Sequence, residues 1–158
     1  MFLAAVLQGF AGLTQAQSIL LQSTNHVSQR SAFLEDDGNV AYLYLSAPSM
    51  PIPVRAVVVY SRHSPQPKID WSAVSKSGEQ PPLSRDIASI TAVLAQPKAA
   101  EFSFKWSRKG NAVALLHKGT PLALAAASET DGYSKAVSKP SPLAVPWDQR
   151  VYESTVGK

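Results

Sequence analysis

Three adjacent carboxylates, Glu35, Asp36 and Asp37, are the residues of this sequence whose types and spacing could do acid–base chemistry. Paired carboxylates act as general acid and general base when burial or a neighbouring charge raises the pKa of one of them. Successive residues of a strand point to opposite faces, however, so adjacency alone does not make the three side chains converge. The pattern therefore predicts a hairpin turn with solvated acids. The alternative is a small hydrolase or ligand-binding enzyme that combines this acidic cluster with His63 or His117.

The sequence lacks the other common catalytic and metal-binding patterns. It has no cysteine, which excludes disulfides, thiolate zinc sites, iron–sulfur clusters and cysteine nucleophiles. His26, His63 and His117 are far apart and belong to no ligand motif, and the eight glycines form no phosphate-binding loop. We therefore predict no catalytic residue, no metal and no cofactor. The lack of cysteine also favours a reducing compartment, and we expect a cytoplasmic protein.

Positive charge is concentrated in the second half of the chain. The formal net charge is +4, and residues 81–158 hold ten Lys and Arg against six Asp and Glu. Arg108, Lys109 and Lys118 lie in predicted turns and are not interleaved with aromatic residues, so nucleic acid is not the expected partner. The same charge would steer a protein with an acidic surface towards this half. These three residues are candidate partner-binding residues.

Trp71 is a fourth candidate because it lies in a polar, proline-rich stretch and not in an apolar run. A large aromatic side chain in such a place is either a cap folded over the core or an anchor for a partner.

Several turn signals indicate the elements that must position these residues. Residues 31–46 form two β-rich runs around Asp36–Asn39, and Asp-Gly is a strong hairpin signal. Residues 102–128 are three apolar runs separated by two basic turns that contain glycine, the first at Arg108–Asn111, which predicts a β-meander. Residues 54–60 are rich in β-branched side chains and predict a central strand. The fold class predicted is α+β, mainly antiparallel β, with one or two short helices.

The length of 158 residues predicts a single domain, residues 1–158. Residues 1–24 have no Lys or Arg and lack the uninterrupted apolar run of a secretory signal, so we expect them to pack on the domain, with a first strand beginning near residues 18–21. No apolar run approaches about 18 residues, and no membrane span is expected. Residues 61–82 predict a long loop with a short strand at 69–74, and residues 84–94 favour a helix over a strand. Residues 134–158 predict an extended tail.

The residues of several of these turns and strands together resemble a small family of uncharacterised bacterial domains. The shared pattern is E-D-D-G, Y-x-Y, W-S-x-x-G and a late Gly-Tyr, which stand in this sequence as Glu35–Gly38, Tyr42–Tyr44, Trp106–Gly110 and Gly132–Tyr133. The resemblance covers about residues 31–140. It implies a fold and a bacterial setting, and it implies no chemistry.

Uneven charge without a catalytic constellation favours recognition of another macromolecule. Small bacterial domains of this kind are often immunity or accessory proteins that neutralise a protein partner, and we extend that function here by analogy. The sequence therefore predicts a non-catalytic bacterial binding protein.

Overall fold

The computed structural model describes residues 17–157, and it consists of two β-sheets packed face to face. The first sheet is an antiparallel meander in which each strand pairs with the next one along the chain. Its strands, in chain order, are β1 (Ile19–Thr24), β2 (Ser31–Asp36), β3 (Val40–Ser46) and β4 (Pro53–Ser61). The first strand therefore begins at Ile19, within the range expected from the sequence.

The second sheet is also a meander, and only its last pair of strands is parallel. Its strands are β5 (Phe102–Trp106), β6 (Ala112–His117), β7 (Thr120–Ala126), β8 (Tyr133–Ser134) and β9 (Val145–Pro146). In the part of the chain that the structure describes, two short helices accompany the sheets, α1 (Trp71–Ser77) and α2 (Gln149–Thr155), together with a 3-10 turn at Ala99–Glu101. The predicted class, α+β and mainly antiparallel β, is confirmed. Within residues 17–157, no helix is long and apolar enough to cross a membrane.

Alternation along the strands places one apolar face of each sheet in a shared core. On β6, Val113 and Leu115 join the main core, whereas Ala112 and Ala114 face the other way. Tyr152 of α2 packs on that second face. The helix therefore covers the outer face of the second sheet, while the space between the sheets holds the larger core.

The predicted hairpin turns are confirmed, and their side chains explain them. Asp37 accepts hydrogen bonds from the backbone N–H of Asn39 (2.8 Å) and of Val40 (3.0 Å), which closes the β2–β3 turn. The β6–β7 turn is Lys118–Gly119, whose φ angles of 50° and 81° both lie in the left-handed region. A two-residue turn of this kind matches the twist of the strands that it joins.

Three predictions about the middle of the chain are wrong: the central strand at residues 54–60, the short strand at 69–74 and the helix at 84–94. Residues 54–60 form the last strand of their sheet and not a central one, and irregular chain covers the free edge: Val58 N–H donates to Leu143 O at 3.2 Å. The strand expected at residues 69–74 is replaced by helix α1. Asp70 caps this helix by accepting from Ala73 N–H at 3.1 Å, and Gly78 ends it with φ of 69°. Local capping therefore outweighs the β-branched residues.

Residues 84–94 form turns and isolated bridges and no helix. Ala88 pairs with Val137, and Val93 pairs with Ser61, so backbone bonds to distant residues replace the bonds of a helix.

The C-terminal segment 134–158 is not wholly extended, because it contains α2. Asp148 caps this helix by accepting from Arg150 N–H (3.0 Å) and Val151 N–H (3.2 Å). At the other end of the chain, residues 1–16 lie outside the described residues, so the expectation that residues 1–24 pack on the domain can be followed only from Gln17. Ile19–Thr24 do pack on the domain, as the edge strand β1.

Candidate functional site

The three carboxylates near the β2–β3 turn have three different environments. Glu35 is exposed on β2, and Asp37 is committed to the backbone of the turn. Asp36, whose side chain is 0% exposed, points into the interior. The expectation of a solvated acid is therefore wrong for Asp36, and the three carboxylates do not converge.

Asp36 is the centre of a buried ion pair. Its Oδ2 accepts from Arg62 Nε at 2.7 Å and from the hydroxyl of Tyr60, and its Oδ1 accepts from Gly38 N–H at 2.8 Å. Arg62 also donates from Nη2 to Gln17 O at 2.6 Å. Burial and the bond to Asp36 raise the pKa of the Tyr60 hydroxyl. This network joins the segment before β1 to β2 and to the end of β4. Because both oxygens already accept hydrogen bonds and the side chain is fully buried, the carboxylate is not presented to a reactant.

Neither candidate histidine reaches these acids. His117 Nε2 lies 3.1 Å from Glu101 Oε1, and the other oxygen of Glu101 lies 3.4 Å from Lys118 Nζ. Hydrogen bonds from Lys98 N–H and from His117, together with the nearby Lys118 ammonium, hold the pKa of Glu101 at about 2. His63 is exposed near the end of β4. Over the described range 17–157, no group of three or more acidic and histidine side chains is arranged to hold a metal.

The basic candidates lie at opposite ends of one strand. Arg108 and Lys109 are exposed on the turn before β6, and Lys118 is on the turn after it. Six residues of extended chain separate the two turns by about 20 Å. Arg108 and Lys109 line a groove of about 310 Å³ next to α2, whereas Lys118 pairs with Glu101. The structure therefore does not bring these three residues together, and their contact with a partner stays a prediction.

Trp71, the first residue of α1, is 51% exposed and lines a groove of about 640 Å³. We call this feature the Trp71 groove. Its walls come from three separate segments, residues 67–71, 84–87 and 141–143, and most of the side chains that they contribute are apolar. The apolar members are Pro67, Ile69, Trp71, Ile87, Pro142 and Leu143.

Backbone hydrogen bonds fix all three walls to one another or to the sheets. Arg85 N–H donates to Gln66 O at 2.8 Å, which joins the first wall to the second. Leu143 O accepts from Val58 N–H at 3.2 Å, which joins the third wall to β4. The groove is therefore preformed, and an occupant would meet an ordered surface.

Charged groups at the Trp71 groove are few. Lys68 and Asp86 are the two charged residues that line it, and Asp86 already accepts from Ser84 Oγ and lies 4.0 Å from Lys139 Nζ. The bond from Ser84 is the main reason why the pKa of Asp86 lies below its usual range. An acid that is ionised and partnered in this way is suited to orienting a ligand and not to proton transfer.

Sequence reasoning found Trp71 but missed the rest of the groove. The sequence predicts that Ile87 lies in a helix and that Pro142 and Leu143 lie in an extended tail. The available signal was the high frequency of proline around these positions, which predicts irregular chain but not which irregular segments meet.

Comparison of the chain with protein-family models, with curated proteins and with solved structures finds no match. The resemblance to the bacterial domain family therefore stays a prediction, and the function must be argued from the geometry of the site.

Proposed function

We propose that this protein is a non-catalytic binding protein and that the Trp71 groove takes an extended segment of another protein. One observation carries the proposal: a half-exposed tryptophan lines a preformed, mostly apolar groove instead of closing over the core. Tryptophan is enriched among the residues that dominate protein–protein binding, because it buries a large rigid surface when a partner covers it.

The lining of the groove favours a peptide segment over a reacting substrate. Pro67, Pro142 and Trp71 resemble the surfaces that bind proline-containing or extended segments, in which an aromatic side chain packs against the ligand. The histidines and the buried Asp36 belong to other parts of the structure and do not line the groove. The groove can therefore select a ligand by shape and apolar contact, but these residues do not supply it with a general base. We expect the bound segment to place a proline or an aliphatic residue on the Trp71 ring.

The proposal extends to the partner and its setting. The charge excess of residues 81–158 supports a partner with an acidic surface around the bound segment, which Arg108, Lys109 or Lys118 would contact outside the groove. A bacterial immunity or accessory role in the cytoplasm is the setting that we propose, by analogy with small domains of similar charge and by the absence of cysteine.

Quantitative binding to the partner tests the proposal. Affinity capture from the native host with the wild-type protein as bait would identify the partner, and titration would then compare variants. We expect Trp71→Ala to weaken binding by about 30-fold or more, as loss of a hot-spot residue does, and Trp71→Phe to weaken it less. Ile90→Ala is the matched control, since Ile90 is fully exposed and does not line the groove.

Two results would overturn the proposal. One is a partner that binds Trp71→Ala and the wild-type protein equally well. The other is an equal loss with Ile90→Ala, which would place the contact elsewhere. Salt dependence tests the acidic surface separately, because attraction between exposed charges weakens as ionic strength rises.

A further inference from the structure

Three large apolar side chains are exposed at one end of the first sheet. Val27 is 73% exposed, Met50 is 53% exposed and Ile52 is 52% exposed. Val27 lies in the loop between β1 and β2, and the other two lie in the loop between β3 and β4. Both loops follow strands that run in the same direction, so they leave the sheet at the same end.

Hydrogen bonds hold these loops in shape and to each other. The side chain of Asn25 accepts from Val27 N–H at 2.9 Å and from Ser28 N–H at 3.0 Å. Ser49 N–H donates to Gln29 O at 2.6 Å and so joins the two loops, and Ala47 N–H donates to Ile52 O at 2.8 Å. Because the backbone is fixed, the apolar side chains cannot fold back onto the core. They therefore remain in solvent.

Basic residues surround the same end. The β5–β6 turn, which carries Arg108 and Lys109, packs on the β1–β2 loop, and Arg30 Nε donates to Asn111 Oδ1 at 3.3 Å. Among residues 17–157, neither Arg108 nor Lys109 forms an ion pair.

Two further features set the charge balance of this end. Arg55 donates to Ala127 O at 2.9 Å and adds a cation, and the acidic residues that follow β7 are Glu129 and Asp131. The four cations Arg30, Arg55, Arg108 and Lys109 therefore outnumber the acids. We call these two loops and the β5–β6 turn the loop end.

We propose that the loop end docks on an anionic membrane surface. Val27, Met50 and Ile52 would enter the boundary between headgroups and acyl chains, and Arg108 and Lys109 would meet the lipid phosphates. Aliphatic tips flanked by free cations are the combination that binds such an interface, since burial of apolar area and attraction to anionic lipid add together. The inference goes beyond the proposed function, since none of these residues lines the Trp71 groove. Arg108 and Lys109 are the residues that the two proposals share.

A folded protein interface is the less favoured occupant of this surface. Protein interfaces are usually anchored by aromatic side chains or by arginines seated in pockets, whereas the two loops and the turn hold no Phe, Trp or Tyr and present their apolar side chains at loop tips. A lipid surface requires no matching shape and accepts such tips directly.

Co-sedimentation of the protein with vesicles tests this inference. Vesicles of phosphatidylcholine mixed with phosphatidylglycerol should bind the wild-type protein, and vesicles of phosphatidylcholine alone should bind it much less. The double variant Arg108→Gln/Lys109→Gln should lower the affinity by about 30-fold, as expected for two surface cations. Met50→Ser/Ile52→Ser should lower it by about tenfold or more, because two exposed aliphatic side chains no longer enter the interface.

Matched controls come from the opposite end of β6 and from another exposed loop. Lys118→Gln removes one cation, Ile90→Ser removes one exposed aliphatic side chain, and both should bind vesicles as the wild-type protein does. Trp71→Ala should also bind normally, which separates this inference from the proposed function. Absence of binding to anionic vesicles, or losses as large with the controls as with the loop-end variants, would overturn the inference. Circular dichroism of each variant verifies that the fold is retained.

Discussion

Replacing Asp36 with alanine should destabilise the protein strongly, because its carboxylate balances a buried guanidinium. The side chains of Asp36 and Arg62 are 0% and 6% exposed, and their bond is 2.7 Å long. Removing one member of a buried ion pair leaves the other charge in the interior and typically costs 3–5 kcal/mol. The Tyr60 hydroxyl and Gly38 N–H also lose their acceptor. We therefore expect Asp36→Ala to lower the free energy of unfolding by about 4 kcal/mol, a large part of the 5–15 kcal/mol typical of a domain.

Urea unfolding followed by tryptophan fluorescence would measure this loss. Trp106 is a suitable reporter, because its indole N–H donates to Ser23 Oγ at 2.9 Å and so links β5 of the second sheet to β1 of the first. Glu35→Ala is the control, since Glu35 is exposed and an ordinary surface substitution changes stability by about 0.5 kcal/mol or less. The double variant Asp36→Leu/Arg62→Met should recover part of the loss, because it removes both buried charges.

The reasoning would be refuted if Asp36→Ala lost less than about 1 kcal/mol, the net value of a single ordinary hydrogen bond. Equal losses in Asp36→Ala and Glu35→Ala would also refute it. A loss as small as that would mean that Asp36 does not balance a buried guanidinium, and equal losses would mean that its burial gives it no special weight.

Further predictions concern a tight turn and two titrating groups. Gly110→Ala should lower the free energy of unfolding in urea by about 2 kcal/mol or more, because φ is 75° and a Cβ would overlap Asn25. Gly119→Ala should lower it by about 1 kcal/mol, because φ is 81° but the space around Gly119 is open. Equal losses in the two variants would contradict this reasoning. The pKa of Glu101 is lowered from 4.5 to about 2, so its stabilising effect is present above pH 4.5 and lost as the pH falls towards 2. The stability difference between the wild-type protein and Glu101→Gln should therefore shrink over that interval, and a constant difference would disprove the assignment. Burial is the main cause, and the nearby carboxylates Glu35 and Asp37 the lesser cause, of a rise in the pKa of Tyr44 from 10 to about 12. The contribution of Tyr44 to stability therefore falls as the pH rises from 10 to 12, and alkaline unfolding should begin at higher pH in Tyr44→Phe. The same unfolding pH in both proteins would argue against this burial.

Local chemistry made the hairpins predictable from the sequence. Asp37 bonds to the backbone of its own turn, and Lys118–Gly119 supplies the left-handed pair that a two-residue turn requires. The caps of the two short helices, Asp70 and Asp148, were equally local signals, but the β-branched and proline-rich surroundings concealed them. Turn chemistry and strand periodicity thus determine most of this fold.

The site depends on contacts between residues that are distant in the sequence. Asp36 and Arg62 are separated by 26 positions, and no spacing rule connects a hairpin acid to an arginine at the end of another strand. The Trp71 groove likewise forms where residues 67–71, 84–87 and 141–143 meet. Residues 84–94 show the same limit, since the bridge from Ala88 to Val137 replaces the helix that the apolar spacing favours. Local patterns cannot predict such pairings because each depends on where the two sheets place their connections.

Binding in the Trp71 groove can be followed residue by residue from amide chemical shifts recorded while the partner segment is added. The groove geometry predicts that the largest changes occur at the amides of residues 68–71, 84–87, 141 and 143, together with the indole N–H of Trp71, and that saturation occurs at one site. It also predicts that Trp71→Ala abolishes these changes at the same concentrations. Changes confined to the turns at residues 108–109 and 118, with the Trp71 indole unaffected, would contradict the claim that the groove is the binding site.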